Sequence, residues 1–489
     1  MKKTGILLPI FSLPNKYGIG TLGKSAYVFI DFLKKSKQDY WQILPTNPTS
    51  YGDSPYQSFS IFAQNQYFID LEMLVEDGLL TKDEIDNSYL SSDSSYIDYG
   101  NIFVNKNKIL KHAYSRHSIF KDEFTRYKRN NRFWLNDYAL FMVLKAYHNN
   151  VSFDNWEDKY RYRDPEALKR FYKDNRKDID SIKFMQFLYR RQWDKLHEYA
   201  NKKGIEIVGD MPIYVAYDSC DVWKDPRLFM LDKYLKPTEV AGVPPDYFSD
   251  TGQLWGNPLY NYEVMENEGY NWWIKRIKYA LSLTDLVRID HFRGFSAFYA
   301  IPYGAKDAIN GRWIDGPKEK LFDLINRKLH NPKIIAENLG LLDDDVYNLI
   351  EHTGYPGMKI LEFEVFSKEN IEKITKESSN NIMYPGTHDN NTFMGWLFED
   401  ASDDERNVVM ELLGDEPLPI NERLVKYSFS FPYDTIIIMY QDVLGMSSNA
   451  RINMPGKPDG NWRYMFSEND FSDKIANMLA KYKNKRKTG

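Results

Sequence analysis

Short runs of apolar residues alternate with longer amphipathic stretches along most of this chain. Several runs are almost continuously apolar, which is what strands buried on both faces of a parallel sheet require. Eight such runs occur, at residues 5–10, 40–45, 205–212, 285–292, 333–340, 358–365, 381–389 and 435–445. The pattern therefore predicts eight strands of a parallel sheet.

Helical periodicity occupies many of the gaps between these runs. After the first run, apolar residues recur at steps of three and four from Ala26 to Leu33, and a similar pattern joins Ile274 to Leu281. Eight strands that alternate with helices are typical of a closed (β/α)₈ barrel. The predicted fold class is therefore α/β, a barrel of the TIM type.

The spacing of the runs is uneven, and this predicts large insertions. Residues 46–204 separate the second run from the third, which is far too long for one strand-to-helix connection. A mainly helical inserted subdomain is expected at 71–203. A second, loop-rich insertion is expected at 213–284, and within it the Gly, Pro and Asp content of 241–258 indicates irregular structure.

Composition and charge limit the kinds of partner that this chain is expected to bind. Hydrophobic residues make up 43% and charged residues 27% of 489 residues, so a compact globular chain is expected. The formal net charge of −5 provides no basic surface for nucleic acid. No apolar stretch is long enough for a membrane span. The Lys-rich C-terminus is interpreted as a frayed, solvated helix end.

The single cysteine, Cys220, excludes an intrachain disulfide framework and fits a reducing, cytoplasmic location. The sequence contains no paired-cysteine zinc spacing, no HExxH motif and no calcium-loop pattern. We therefore expect neither a metal nor another cofactor.

Four predicted strands end in an acidic residue, and these residues are Asp210, Asp290, Glu337 and Asp389. The carboxyl ends of all strands in such a barrel open on one face, where catalytic residues lie, so acids distant in sequence can meet there. Each acid alone is equally well explained as the N-cap of the following helix. A glutamate is a poor cap, however, and four acids together indicate proton chemistry.

Arg288 lies two residues before Asp290, so both side chains point to the same face of a strand. A permanent cation there is expected to keep Asp290 ionised, as a nucleophilic carboxylate requires, although an ordinary ion pair is the alternative. A second carboxyl group in a less polar setting keeps its proton and can act as an acid. In retaining glycosidic-bond cleavage one carboxylate attacks the anomeric carbon while the other protonates the leaving oxygen.

Several motifs together resemble the amylomaltase family, the 4-α-glucanotransferases of glycoside hydrolase family 77. The resemblance extends from LLPIFSLPNKYGIGTLG near the start to ARINMPGKPDGNWRY near the end, in the family's order. Between them stand YGDSPYQSFSIFAQN, IVGDMPIYVAYDSCDVW, VRIDHFRGF, IIAENLG and YPGTHDNNT. The resemblance implies one catalytic barrel unit over residues 1–489, with insertions and without a separate C-terminal β-domain.

The resemblance also implies an activity and its site. A segment of α-1,4-glucan from maltodextrin, starch or glycogen would pass through a covalent glucosyl-enzyme to another glucan or to glucose. Asp290 matches the nucleophile, Glu337 the acid/base and Asp389 the transition-state stabiliser. The residues that match substrate-binding positions are Arg288, His388, Tyr56, Ser54, Asp210, Trp255, His291 and Asn461.

Two other functions on the same barrel compete with this interpretation. An α-glucan hydrolase would use the same acids and differ only in its acceptor, water. The aromatic residues Tyr247, Phe248 and Trp255 in the segment 241–258 suggest a lid that excludes water and favours transfer. A glucan-binding protein without activity is the non-enzymatic alternative, and the presence of all three acids counts against it.

A third alternative is nucleotide binding through Gly18–Ser25, GIGTLGKS, which fits the phosphate-loop pattern. Such a loop has to run directly from a buried strand into a helix. Here residues 13–17 intervene after the first predicted strand. The motif is therefore interpreted as a glycine-rich surface turn.

Overall fold

The computed structural model describes residues 2–90, 95–245, 249–340, 342–365, 368–376, 380–457 and 459–486. Twelve strands are present in these ranges, and they are numbered in chain order: β1 Lys3–Leu7, β2 Tyr40–Gln42, β3 Glu206–Met211, β4 Glu239–Val243, β5 Gln253–Pro258, β6 Leu286–Ile289, β7 Ala297–Pro302, β8 Arg312–Asp315, β9 Ile334–Ala336, β10 Gly357–Ile360, β11 Asn381–Tyr384 and β12 Thr435–Met439.

Eight of these strands form one parallel sheet in the order β10-β11-β12-β1-β2-β3-β6-β9. The sheet curls until its edge strands meet, where the N–H of Ala336 donates to the carbonyl of Pro356 at 2.8 Å. Each of the eight strands overlaps one of the eight apolar runs, so the predicted barrel is confirmed. Buried apolar side chains such as Ile6, Trp41 and Ile437 cover its strands, and Trp41 packs against Phe29 of the helix Lys24–Lys35.

Helices surround the barrel and form most of the first insertion. The α-helices in the described ranges are Lys24–Lys35, Leu71–Glu76, Lys82–Asp86, Tyr99–Asn101, Asn107–Ala113, Lys121–Asn130, Arg132–Tyr147, Asp158–Arg161, Pro165–Asp174, Arg176–Lys203, Cys220–Lys224, Tyr262–Asn267, Asn271–Ala280, Lys318–Leu329, Asp344–Thr353, Lys368–Lys376, Phe393–Gly395, Asp403–Leu413, Ile420–Ser428, Tyr440–Leu444 and Asp473–Arg486. None of those helices combines the length and the apolar character needed to cross a bilayer.

The longest helix, Arg176–Lys203, ends the first insertion and also belongs to the barrel wall. It stops at Gly204, whose φ of 78° is the left-handed conformation that suits glycine at a helix end. Lys203 and Tyr199 both bind Asp31 on the helix that precedes β2, at 2.7 and 2.8 Å. The inserted helices are therefore connected to the barrel through one of its own helices.

A second, four-stranded antiparallel sheet lies outside the barrel, in the order β5-β4-β7-β8. The expectation of irregular structure at 241–258 is wrong at both ends of that segment, because β4 and β5 pair there as a hairpin. Gly242 permits their close approach, since a Cβ atom at this position would lie 2.2 Å from the Gln253 carbonyl oxygen. Tyr247 and Phe248, part of the predicted lid, lie outside the described residues.

The segment Gly18–Ser25 does not form a phosphate loop. It folds back on the turn Ile10–Ser12, and the Gly20 N–H donates to the carbonyl of Phe11 at 3.0 Å. The carboxylate of Asp70 packs against Gly23 at the start of the following helix, 2.0 Å from where a Cβ atom would lie. A negative charge at this helix start opposes phosphate, so the nucleotide alternative has no structural support.

The interpretation of the C-terminus as a frayed helix end is wrong for the described residues. Helix Asp473–Arg486 packs against the barrel, with Lys483 and Arg486 only 1% and 5% exposed. The ammonium group of Lys483 donates to Asp39 and to the carbonyl of Lys2. Lys483 and Arg486 therefore bind the underside of the barrel instead of remaining in solvent.

Replacing Arg486 with alanine is expected to destabilise the protein by about 2–4 kcal/mol, because buried carbonyl groups lose their donors. The guanidinium group donates to the carbonyls of Phe429 at 3.2 Å, Phe431 at 2.8 Å and Tyr433. Thermal unfolding should start several degrees lower than in the parent. Lys474→Ala, an exposed change on the same helix, is the control, and equal midpoints for the two variants would contradict the prediction.

Candidate active site

Four acids from four different strands stand at the carboxyl rim of the barrel. Asp210 lies near the end of β3, Asp290 and Glu337 directly follow β6 and β9, and Asp389 lies in the turn after β11. Backbone hydrogen bonds connect neighbouring rim positions, from Asp290 N–H to the Met211 carbonyl at 3.0 Å and from Glu337 N–H to the Ile289 carbonyl at 3.1 Å. The barrel closure itself therefore places these acids around one opening.

Arg288 is shared between two acids. Its Nη1 atom donates to both carboxylate oxygens of Asp210 at 2.8 Å, and its Nη2 atom donates to Oδ1 of Asp290 at 3.0 Å. The side chains of Arg288 and Asp210 are 3% and 0% exposed, whereas that of Asp290 is 27% exposed. The sequence argument paired this cation with Asp290, and the structure adds Asp210, which takes the larger share of it.

The electrostatic setting of Asp290 follows from this sharing. Burial in the cleft raises the pKa of Asp290 well above its usual value, Arg288 lowers it, and the charge of Glu337 raises it again. The cation offsets only part of the cost of an ionised carboxylate among other acids. Two neighbouring buried carboxyl groups in such a site hold one proton between them more readily than none.

Glu337 is held by backbone donors. Its Oε2 atom accepts from the N–H of His291 at 2.5 Å, and its Oε1 atom accepts from the N–H of Leu339 at 3.0 Å. Burial raises the pKa of Glu337, while Arg288 and the two N–H groups lower it. The carboxyl group is therefore fixed in direction and poised to gain or lose a proton.

His291 provides that N–H by adopting a strained backbone. Its φ of 48° lies in the left-handed region, which a non-glycine residue occupies at a cost of about 1 kcal/mol or more. Burial lowers the pKa of the His291 side chain to about 3, so the ring is neutral. The ring packs edge-on against Trp255, with centroids 4.8 Å apart.

Asp389 is supported by residues that the sequence argument did not single out. Asn453 donates from its side-chain amide to Oδ1 of Asp389 at 2.6 Å, and Arg451 donates to the Asp389 carbonyl at 3.1 Å. Both lie in the motif ARINMPGKPDGNWRY, which was the only signal for them. The carboxylate of Asp389 remains 45% exposed, so it is open to a ligand.

Tyr56 connects the turn after β2 to the rim. Its hydroxyl lies 2.7 Å from Oδ2 of Asp210 and 2.7 Å from Nε2 of His388. The Asp210 carboxylate, bound by Arg288, accepts the hydroxyl proton, so His388 must donate from Nε2. The rings of Tyr56 and His388 are parallel, 5.4 Å apart, and Trp462 lies 5.7 Å from Tyr56. These aromatic surfaces form a wall of the cleft.

The remaining predicted binding residues have different surroundings. Ser54 accepts a hydrogen bond from the N–H of Tyr56 at 3.2 Å and so shapes the turn that presents it. Trp255 lies on β5 and donates to Gln253 at 3.1 Å. Asn461 uses its amide on Met454 N–H at 2.9 Å and on two carbonyls of its own loop. Asn461 therefore closes the loop that also carries Asn453, and its role in substrate binding stays a prediction.

Within the described ranges, no group of three or more His, Cys, Asp or Glu side chains is arranged to hold a metal ion. The arrangement contains instead paired carboxyl groups, one shared guanidinium and a neutral histidine. Such a set can move a proton and stabilise positive charge on a substrate.

Comparison with known proteins gives a consistent result. A family model described as 4-alpha-glucanotransferase matches residues 8–470. A 4-alpha-glucanotransferase of Clostridium butyricum is 44% identical over 96% of this chain and 97% of its own length, and one of Streptococcus pneumoniae is 42% identical over 97% and 95%. The solved structure of an amylomaltase from Streptococcus agalactiae in complex with acarbose aligns with a TM-score of 0.96 and 37% identity, covering 100% of this chain and 99% of that one.

Proposed function

Since this chain belongs to glycoside hydrolase family 77, and acts as a 4-alpha-glucanotransferase on α-1,4-glucans, we propose that it works by retaining double displacement on Asp290. The observation that carries the proposal is the junction of β6 and β9. There the N–H of the residue directly after Asp290 holds the carboxyl group of Glu337. Retention requires two carboxyl groups about 5 Å apart, and this hydrogen bond supports such an arrangement.

In the first step the carboxylate of Asp290 attacks the anomeric carbon of the donor. The bond from that carbon to the bridging oxygen breaks, and Glu337 gives its proton to the departing oxygen. In the second step Glu337 takes a proton from the acceptor hydroxyl, whose oxygen attacks the same carbon and releases Asp290. Glu337 thereby regains its proton, and the configuration at the carbon is retained.

The hydrogen bond from Arg288 affects where the proton shared by Asp290 and Glu337 resides. Arg288 donates directly to Asp290, whereas Glu337 is only 8% exposed and accepts from neutral N–H groups alone. The hydrogen bond from Arg288 stabilises charge on Asp290 against the opposing effects of burial and of Glu337, and we take the shared proton to reside on Glu337. This is the distribution that the first step needs.

Asp389 and His388 complete the subsite around the reacting sugar. The open carboxylate of Asp389 faces the cleft and stabilises the positive charge that develops on the ring at the transition state. The parallel rings of His388 and Tyr56 offer an aromatic surface to the apolar face of the sugar ring. Asp210 acts by holding Arg288 and Tyr56 in place.

The proposed donors are maltodextrins and the α-1,4-glucan chains of starch or glycogen, with glucose or another glucan as acceptor. The bound acarbose in the relative from Streptococcus agalactiae supports an α-glucan in the equivalent cleft. The proposal includes a cytoplasmic location, in keeping with the single, buried cysteine. It also includes the division into a catalytic unit at 1–489, a helical insertion at 71–203 and a second insertion at 213–284.

Incubation with maltotriose alone is expected to yield glucose and a ladder of longer maltodextrins. The β4–β5 hairpin favours transfer because it brings Trp255 against His291 beside the acid/base, where a carbohydrate acceptor packs better than water. Chromatography of the products, with reducing ends counted over time, measures the outcome. A constant number of reducing ends supports transfer. A rising number, with only glucose and maltose formed, would favour the hydrolase alternative.

A further inference from the structure

The turn that carries His388 and Asp389 is held from behind by a buried acid that has no part in the steps above. Glu362 follows strand β10 and is 4% exposed. Its Oε2 atom accepts from the side-chain amide of Asn390 at 2.8 Å, and its backbone N–H donates to the Pro385 carbonyl at 3.2 Å. Glu362 thus contacts both ends of the segment 385–390.

Asn390 closes the turn itself. Its Oδ1 atom accepts from the N–H and from the hydroxyl of Thr387, both at 2.9 Å. Its own N–H donates to the Thr387 carbonyl at 3.0 Å. One side chain therefore joins Thr387 to Glu362, and the two residues enclosed by this closure are His388 and Asp389.

The packing behind the turn is tight. A Cβ atom at Gly386 would lie only 2.8 Å from Oε1 of Glu362 and 3.4 Å from Cβ of Asn390. The carboxyl group of Glu362 therefore fills the space beneath the turn as well as bonding to it. Shortening this side chain would leave the turn without a support on its inner side.

The charge state of Glu362 follows from its surroundings. A second buried acid, Asp442, is 1% exposed and accepts from the N–H of Phe393 at 2.7 Å. In the described part of the chain, Oε1 of Glu362 and Oδ2 of Asp442 have no hydrogen-bond partner. Burial and then the charge of Asp442 raise the pKa of Glu362 well above its usual value, while Asn390 and Arg451 lower it less. Burial without a donor to Oε1 favours the protonated, neutral form of Glu362.

We propose that Glu362 is a positioning residue for Asp389, which as a neutral hydrogen-bonding group fixes the Thr387–Asn390 turn against the reacting sugar. This inference rests on the proposed function, because it takes Asp389 as the group that stabilises the transition state. A displacement of about 1 Å in such a group costs up to about 100-fold in rate. The loss falls on kcat, since the support matters most when charge develops on the sugar ring.

The test compares Glu362→Gln with Glu362→Ala in the maltotriose assay, with Asn390→Ala as a second route to the same loss. Glutamine keeps an acceptor for Asn390 and nearly the same volume, so kcat should stay within about twofold of the parent. Alanine at either position should lower kcat about 10- to 100-fold, with KM changed less than about twofold. Glu364→Ala is the matched control, because its carboxylate binds Lys359 at 3.0 Å and not the turn.

The outcomes separate this inference from its premise. A parental kcat in folded Glu362→Ala and Asn390→Ala, alongside a large loss in Asp389→Asn, rejects the positioning role and leaves the proposed function intact. Parental turnover in Asp389→Asn rejects the premise instead.

A loss in Glu362→Gln as large as in Glu362→Ala overturns the neutral hydrogen-bonding role. A lower thermal midpoint with unchanged kcat shows a purely structural residue and also overturns it. Should Glu362→Ala fail to fold, Asn390→Ala decides.

Discussion

Asp290→Asn is expected to lower kcat for maltotriose transfer by roughly 10⁴-fold or more, because an amide cannot form the covalent glucosyl ester. The variant should fold normally. Arg288 keeps both contacts to Asp210 when Asp290 loses its charge, so no buried cation is left without a partner. Glucose release from maltotriose measures the rate, and calorimetric titration with maltotriose tests that the cleft still binds it.

The matched control for this loss is a carboxylate at the other end of the barrel. Glu206, at the start of β3, binds Lys3 at 2.5 Å and Lys333 at 2.6 Å, remote from the carboxyl rim. Glu206→Gln should keep kcat within about twofold, because Glu206 contacts none of the rim acids. The variant should also fold, because partly exposed ion pairs of this kind contribute only about 0–1 kcal/mol to stability. A kcat for Asp290→Asn within tenfold of the parent would remove Asp290 as the nucleophile.

Glu337→Gln should slow transfer from maltotriose about 10²- to 10⁴-fold, since the leaving oxygen is no longer protonated. A donor with a good leaving group, such as 4-nitrophenyl α-maltoside, needs no such proton, so its first step should be largely spared. The second step still lacks its base. The glycosylated enzyme should therefore accumulate, and mass spectrometry of the intact protein should show the added sugar on the peptide that contains Asp290.

The geometry of Glu337 dictates a second variant. Glutamine at this position has to turn its NH₂ group towards either the His291 N–H or the Leu339 N–H. In either case two hydrogen-bond donors then face each other. Glu337→Ala avoids this clash. Its activity with maltotriose and with 4-nitrophenyl α-maltoside should change in the same way as that of Glu337→Gln. Equal losses for maltotriose and for the activated donor, in both variants, would contradict the acid/base assignment.

The pH dependence of the parent provides a related check. Activity requires Asp290 ionised and Glu337 protonated, so kcat/KM should fall at low pH as Asp290 gains a proton and at high pH as Glu337 loses one. Burial raises the pKa of Glu337, which moves the alkaline limb upwards from the range of an exposed glutamate. In Glu337→Ala, measured with the activated donor, the alkaline limb due to this group should disappear.

Much of the fold was open to prediction because barrel strands carry their burial in their own sequence. Strands such as β12, with four of five residues buried, are recognisable as apolar runs without knowledge of their neighbours. Strand β8 has no such signal, since its four residues, from Arg312 to Asp315, are mostly exposed. The antiparallel sheet that contains it forms through pairing with distant segments, and a local pattern does not report that pairing.

Some residues of the active site could likewise be predicted from sequence, and others could not. The acids at the strand ends and the two-residue step from Arg288 to Asp290 could be inferred from sequence, because barrel closure brings strand ends together whatever their separation. Glu362 and Asn453 gave no comparable signal, since their importance depends on contacts to the Asp389 turn that only the fold creates.

By itself, then, the amino-acid sequence determined the eight buried strands, the rim on which they open and the identity of the acids there. Only the tertiary structure decided how the single guanidinium is divided between Asp210 and Asp290, and which groups hold Asp389. The reason is physical: a strand that is buried on both faces shows this as consecutive apolar residues, whereas the energy of a buried charge depends on distances of a few ångströms between residues from different strands.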